Sequence, residues 1–122
     1  MKTIYNLLLI LFICSPLYAQ WSPDPSVNTN VSDLSGDQTL PKISKTSDGG
    51  CYIVWFDQRA SQYNVYLQKY DEGGVPQFAV NGLLISSNTQ STSLVNYDMI
   101  TDDSNNAIIV FTDTRNGDVN PF

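Results

Sequence analysis

Gly49-Gly50-Cys51-Tyr52-Ile53-Val54-Trp55-Phe56-Asp57-Gln58-Arg59 is the stretch that decides the fold. Its six consecutive apolar residues, 51–56, lie between a glycine turn and a charged one. The run is too short for a helix and rich in β-formers, and it has no polar side. It therefore predicts a central strand covered on both faces, because alternate side chains point to opposite sides of a sheet. Upstream, residues 41–46 read as a short strand joined to it through Ser47-Asp48-Gly49-Gly50. Downstream, residues 57–62 form a polar connection. Tyr63–Tyr70 then alternates, with Tyr63, Val65 and Leu67 on one side and Asn64, Tyr66, Gln68 and Tyr70 on the other. Asp71-Glu72-Gly73-Gly74 predicts a turn whose glycines can take positive φ. A weaker outer strand is expected within 75–80, then Asn81-Gly82, then a strand over 83–86. Residues 20–39, rich in Pro, Ser, Asn, Asp and Thr, read as an irregular N-terminal segment. Nowhere do apolar residues recur at i, i+3, i+4 and i+7 for three turns, so the fold class is all-β with antiparallel strands.

The pattern begins again 56 residues later. Residues 104–111, Ser-Asn-Asn-Ala-Ile-Ile-Val-Phe, echo residues 48–55, Asp-Gly-Gly-Cys-Tyr-Ile-Val-Trp. Ile53 meets Ile109, Val54 meets Val110, Asp57 meets Asp113, Arg59 meets Arg115 and Asn64 meets Asn120. Trp55 meets Phe111 and Ile43 meets Met99, exchanges that keep size. This clustering in one strand and its following turn predicts an internal repeat. A repeat of this length holding about four short strands has the size of one propeller blade. Residues 40–122 accordingly read as one full and one truncated blade-like repeat of a partial β-propeller. A small β-sandwich is the alternative; it suits the length but does not explain the repeated turn.

Residues 1–19 read as a secretory signal peptide. Lys2 supplies the positive end, residues 4–14 are apolar apart from Asn6, Pro16 breaks the run, and Ala19 stands at the cleavage point. The apolar stretch falls short of the ~20 residues a bilayer needs, so no membrane span is expected after cleavage. A lipoprotein signal at Cys14 is a weaker alternative, lacking the usual small residue before the cysteine. The expected location is secreted, extracellular or cell-surface, with the periplasm as an alternative. Cleavage leaves Cys51 alone, so packing or a metal, rather than a disulfide, must hold the fold.

Composition excludes several function classes. A formal net charge of −6 argues against nucleic-acid binding. The absence of histidine removes Ser-His-Asp and Cys-His chemistry from this chain. With Glu72 the only glutamate, a Glu–Glu acid/base pair is impossible.

The run from Gly49 to Arg59, followed by Asn64-Val65-Tyr66-Leu67-Gln68-Lys69-Tyr70-Asp71 and Gly74-Val75-Pro76-Gln77-Phe78, resembles the blades of secreted bacterial β-propeller repeat proteins. Those blades read glycine-rich turn, apolar strand, Trp-x-Asp-x-Arg, then a Tyr-x-Gln strand and an Asp/Gly turn. The resemblance covers residues 38–85 well and 97–120 in part. It implies an architecture and names no activity. Proteins of this kind are often exported by type IX secretion through a sorting domain, which residues 1–122 do not contain. The second copy departs from the pattern: Gly49-Gly50 becomes Asn105-Asn106, and Pro121-Phe122 follows Asn120, which reads as an N-terminal fragment of a longer repeat protein. Thr46-Ser47-Asp48-Gly49-Gly50 is also similar to the Asp-box turn of sialidase-like propellers, with Ile53 where that motif has an aromatic. In sialidases that turn is structural.

Asp57, Arg59, Asp113 and Arg115 are the candidate site residues. Repeated Asp/Arg pairs suit recognition of a glycan or anionic ligand through the planar Arg fork. Their recurrence in each repeat favours a structural role instead, a turn in which Asp accepts backbone amides and Arg bridges to the neighbouring blade. The oxygen-rich loops at 102–106 and 113–118 offer calcium ligands, but position six of the first is Ala107 rather than the glycine of an EF-hand. No other cofactor is expected. Tyr52, Trp55, Tyr63, Tyr66 and Tyr70 read either as a sugar-stacking platform or as inter-sheet core. Cys51 reads as a buried, inert thiol. The function expected is a non-enzymatic binding or scaffold module. Its partners are a glycan or protein at the cell surface, further blades of a longer chain, or other copies of itself. The alternative is a fragment of a glycosidase-like propeller.

Overall fold

The computed structural model of the chain describes residue 21 and residues 24–90, 96–113 and 120–121. The signal-peptide reading of residues 1–19 lies outside them. The described residues are all-β, with antiparallel sheets and no helix. A four-stranded sheet runs β1 (Gln38–Lys45), β2 (Cys51–Asp57), β3 (Tyr63–Tyr70) and β4 (Leu83–Gln90), paired in chain order. β5 (Asp98–Thr101) pairs with β6 (Ala107–Val110), and β7 (Thr112–Asp113) with β8 (Asn120–Pro121). The four-stranded sheet is open, with β1 and β4 as its edges.

β2 is the central strand that its sequence predicts. Its partners are β1 and β3, and six of its seven residues are buried. The pairing of β2 with β3 sorts two faces. Cys51, Ile53, Trp55 and Asp57 stand opposite Tyr70, Gln68, Tyr66 and Asn64. On the other face Tyr52, Val54 and Phe56 stand opposite Lys69, Leu67 and Val65. This second face makes the core: Tyr52, Val54, Phe56, Val65 and Leu67 pack against Tyr97, Met99 and Phe111, with Ala107 and Ile109 alongside. The first face is crossed by the irregular N-terminal segment. Trp21 packs on Tyr70 at 5.5 Å between ring centroids, and the Tyr70 hydroxyl donates to the Asn30 carbonyl.

Four pairs of the first hairpin have counterparts in the second. Lys42↔Val54, Ile43↔Ile53, Ser44↔Tyr52 and Lys45↔Cys51 in β1–β2 become Asp98↔Val110, Met99↔Ile109, Ile100↔Ile108 and Thr101↔Ala107 in β5–β6, each number raised by 56. Phe56↔Val65 and Asp57↔Asn64 likewise become Thr112↔Pro121 and Asp113↔Asn120. The turns match as well. Thr46 N–H donates to the Gly50 carbonyl and Gly49 N–H to the Thr46 carbonyl; Asp102, Asn106 and Asn105 repeat both bonds. The fourth turn residue is left-handed in each, Gly49 at φ 89° and Asn105 at φ 62°. Asn tolerates that region better than other non-glycine residues.

Two expectations need correction. β1 begins at Gln38, three residues before the expected 41, and passes Pro41 through a bulge between Thr39 and Lys42. A bulge on an edge strand is where a residue without an N–H can sit. Second, no strand forms over 75–80; Pro76 makes only an isolated bridge to Tyr70. The outer strand is β4, which runs to Gln90 rather than stopping at residue 86.

Candidate functional site

The Asp57–Arg59 pair is assembled at the end of β2. Asp57 is fully buried, and both of its carboxylate oxygens are occupied. Oδ2 accepts from Trp55 Nε1 at 3.0 Å and from the Arg59 guanidinium at 2.5 Å, while Oδ1 accepts from the Arg59 N–H at 2.9 Å. Burial by itself would raise the Asp57 pKa. The Arg59 side chain, the Trp55 indole, the Arg59 backbone N–H and the Arg59 charge together outweigh it, holding the carboxyl down at about 2. The pair is ionised at neutral pH.

Arg59 does more than neutralise Asp57. Its guanidinium also donates to the Asn81 carbonyl at 2.8 Å and lies 3.7 Å above the Tyr66 ring, a cation–π contact. Trp55 stacks on the same tyrosine at 6.1 Å. The Asn81-Gly82 turn closes over the indole, both residues having positive φ. A Cβ on Gly82 would lie 2.4 Å from Trp55 Cη2, so only glycine fits there. Asn81 Oδ1 in turn accepts from the Asp33 N–H at 2.9 Å, tying in the N-terminal segment. The arrangement is a clamp joining the β2–β3 connection, the turn before β4 and residues 30–33. Asp57 accepts a turn amide, whereas Arg59 reaches the turn before β4 of its own sheet rather than a neighbouring blade.

Asp113 lies in β7, and Arg115 falls outside the described residues. The aromatic residues do not form one platform. Strand alternation puts Tyr52 and Tyr63 on the core side of the sheet and Trp55, Tyr66 and Tyr70 on the other. In the 102–106 loop, Asp102 Oδ1 accepts from the Ser104 and Asn106 N–H groups, and Oδ2 from the Asn106 side chain. That carboxylate closes its own turn, so the calcium reading gains no support from it; the 113–118 loop is described only at Asp113. Cys51 is buried, and burial pushes its thiol pKa up.

Gln68 has a role that the strand pattern does not announce. It is buried in mid-strand, where its Nε2 donates to the Ala79 carbonyl and its Oε1 accepts from the Phe78 and Lys69 N–H groups. One side chain thus satisfies the backbone of 78–79, which has no strand partner. An amide in the middle of the strand, between the aromatic residues Tyr66 and Tyr70 on its face, was the available signal. Comparison of the chain with protein-family models, with curated proteins and with solved structures gave no match.

Proposed function

We propose that this chain is a secreted or cell-surface binding or scaffold module without catalytic activity, built from β-propeller-type blade repeats. The observation that carries the reading is the state of Asp57. It is the carboxylate of the Trp-x-Asp-x-Arg motif, and its oxygens are spent on Trp55 and Arg59 inside the fold. A buried, ionised carboxylate whose acceptors are already engaged is poorly placed to donate a proton or attack a sugar. The blade reading is supported by the two hairpins of equal register, since a sandwich supplies no reason for pairs to recur at a constant offset. The ligand class we assign is a glycan or protein of the cell surface.

The test pairs binding with turnover. The purified chain is passed over immobilised glycans and incubated in parallel with aryl glycosides. Retention on glycan without hydrolysis is the expected result. Hydrolysis by the parent chain that is lost in Asp57→Asn assayed well below that variant's own melting temperature overturns the reading in favour of a glycosidase-like propeller. Export is checked separately by intact mass: secreted material begins at Gln20.

A further inference from the structure

The contact between the two sheets joins unlike faces. The four-stranded sheet contributes the side of Tyr52, Val54 and Phe56. The second hairpin contributes Met99, Ala107 and Ile109, whose register equivalents Ile43, Cys51 and Ile53 lie on the opposite side of the four-stranded sheet. The interface is therefore head-to-tail, and among the described residues it leaves one face of each kind without its counterpart. Exposure follows that logic at three pairs of equivalent positions. Tyr52 and Val54 are 8 % and 0 % exposed, while their equivalents Ile108 and Val110 are 46 % and 51 %. Met99 is 6 % exposed, while its equivalent Ile43 is 69 %. Residues 30–33 cover the opposite face only toward β3, through the Asn30–Tyr70 and Asp33–Asn81 hydrogen bonds. Toward β1 they leave an open groove of about 230 Å³ lined by Val31, Ser32, Gln38, Pro41, Ile53 and Trp55. Its volume exceeds the roughly 150 Å³ apolar cavity known to admit a benzene-sized guest.

We propose that a second copy of this chain occupies that groove, presenting Ile100, Ile108 and Val110 to Ile43 and Ile53 in a repetition of the intramolecular sheet contact. A head-to-tail contact of this kind does not saturate at two copies; it propagates into rings or filaments. The inference rests on register and exposure and is independent of any glycan binding. Sedimentation across a concentration series tests it on the parent chain and on Ile43→Asp, Ile108→Asp and the turn-tip control Val75→Asp. The parent and the control are expected to associate beyond dimers, and each isoleucine variant alone to lose association and sediment as a monomer. Mixing the two isoleucine variants should restore a 1:1 pair and nothing larger, because each retains the face that the other lacks. That recovery also proves both variants folded; Ile43→Ser and Ile108→Ser replace them where the charge unfolds the chain. A monomeric parent overturns the proposal, as does a mixture that stays monomeric. Association abolished by Ile108→Asp but untouched by Ile43→Asp also overturns it, showing a symmetric face-to-face pair instead. Each protein is run with residues 1–19 retained and removed, and association that needs those residues belongs to the apolar leader and counts against it.

Discussion

Asp57 shows how a charge can sit inside a small β-sheet at low cost. An unpaired buried carboxylate is strongly destabilising, and here three hydrogen bonds and one guanidinium offset the lost hydration. The arrangement has a pH signature. The folded-state pKa of about 2 lies below the usual 3.8, so the ionised form is what the fold favours. Its contribution is complete above about pH 4 and is lost as the pH falls toward 2, amounting to at most about 2 kcal/mol. Asp57→Asn keeps the shape but loses the ion pair. It should lower the melting temperature at pH 7 and flatten the acid limb between pH 4 and 2, followed by circular dichroism at stepped pH. An unchanged acid limb would show that the clamp contributes nothing. Cys51 gives a second residue-scale prediction. Buried in β2 with a raised pKa, its thiol should react with an aromatic disulfide far more slowly than in denaturant, with full reactivity recovered on unfolding. Native labelling at the free-thiol rate would contradict its position.

At the scale of elements, turn chemistry fixes register. Residues 46–50, 71–75 and 102–106 share one backbone design, in which the first residue bonds the fifth and the fourth residue has positive φ. Gly50 closes the first of these, and a Cβ there would stand 2.3 Å from the Tyr70 carbonyl oxygen, a backbone atom that cannot swing aside. Gly50→Ala should therefore cost about 1–3 kcal/mol, as overpacking in a tight site does, and chemical denaturation measures it. A loss under about 0.5 kcal/mol, the ordinary surface value, would show that β2 and β3 can separate there. Position 106, its equivalent, carries an asparagine. The preceding Asn105 uses its side chain: Oδ1 accepts from the Ser47 N–H and hydroxyl, joining the two turns. The sequence made much of this legible. The unbroken apolar run 51–56, the alternation over 63–70 and the offset of 56 are backbone-period signals, and strands and turns followed them. What could not be read was anything decided by a long-range side-chain bond. The path of 75–80 is set by Gln68, and the part that Asn81 plays in the Asp57–Arg59 clamp is set by the fold of 30–33.

For the whole molecule the question is whether the four-stranded sheet and the β5–β6 hairpin are one cooperative unit. Tyr97 is the first marker. Its ring meets Phe56 edge-on at 4.8 Å, and burial, with Asp98 adding to it, raises its pKa to about 12. A raised phenol pKa means that the fold favours the neutral form. The contribution of Tyr97 is thus whole below about pH 10 and lost as the pH climbs toward 12. Tyr97→Phe keeps the ring and gives up only a long 3.4 Å bond to the Val54 carbonyl. It should be near-neutral at pH 7 and should remove part of the alkaline limb of the melt. Met99 is the sharper probe because it belongs to the small sheet and is buried in the cluster that this sheet shares with the large one. Two paired four-residue strands, β5 and β6, are too little to be stable in isolation. Their hairpin must borrow order from the Tyr52–Val54–Phe56 face, and that face would otherwise expose its largest apolar side chains. Removing the Met99 side chain should therefore weaken both sheets together. Met99→Ala is expected to cost about 2–4 kcal/mol, the range for emptying a core site that collapses only in part. In hydrogen exchange the loss should appear as equal reductions in protection at the β2 and β6 amides. Loss confined to β5 and β6, with β1–β4 unchanged, would mean that the four-stranded sheet folds alone and the second hairpin merely rests on it.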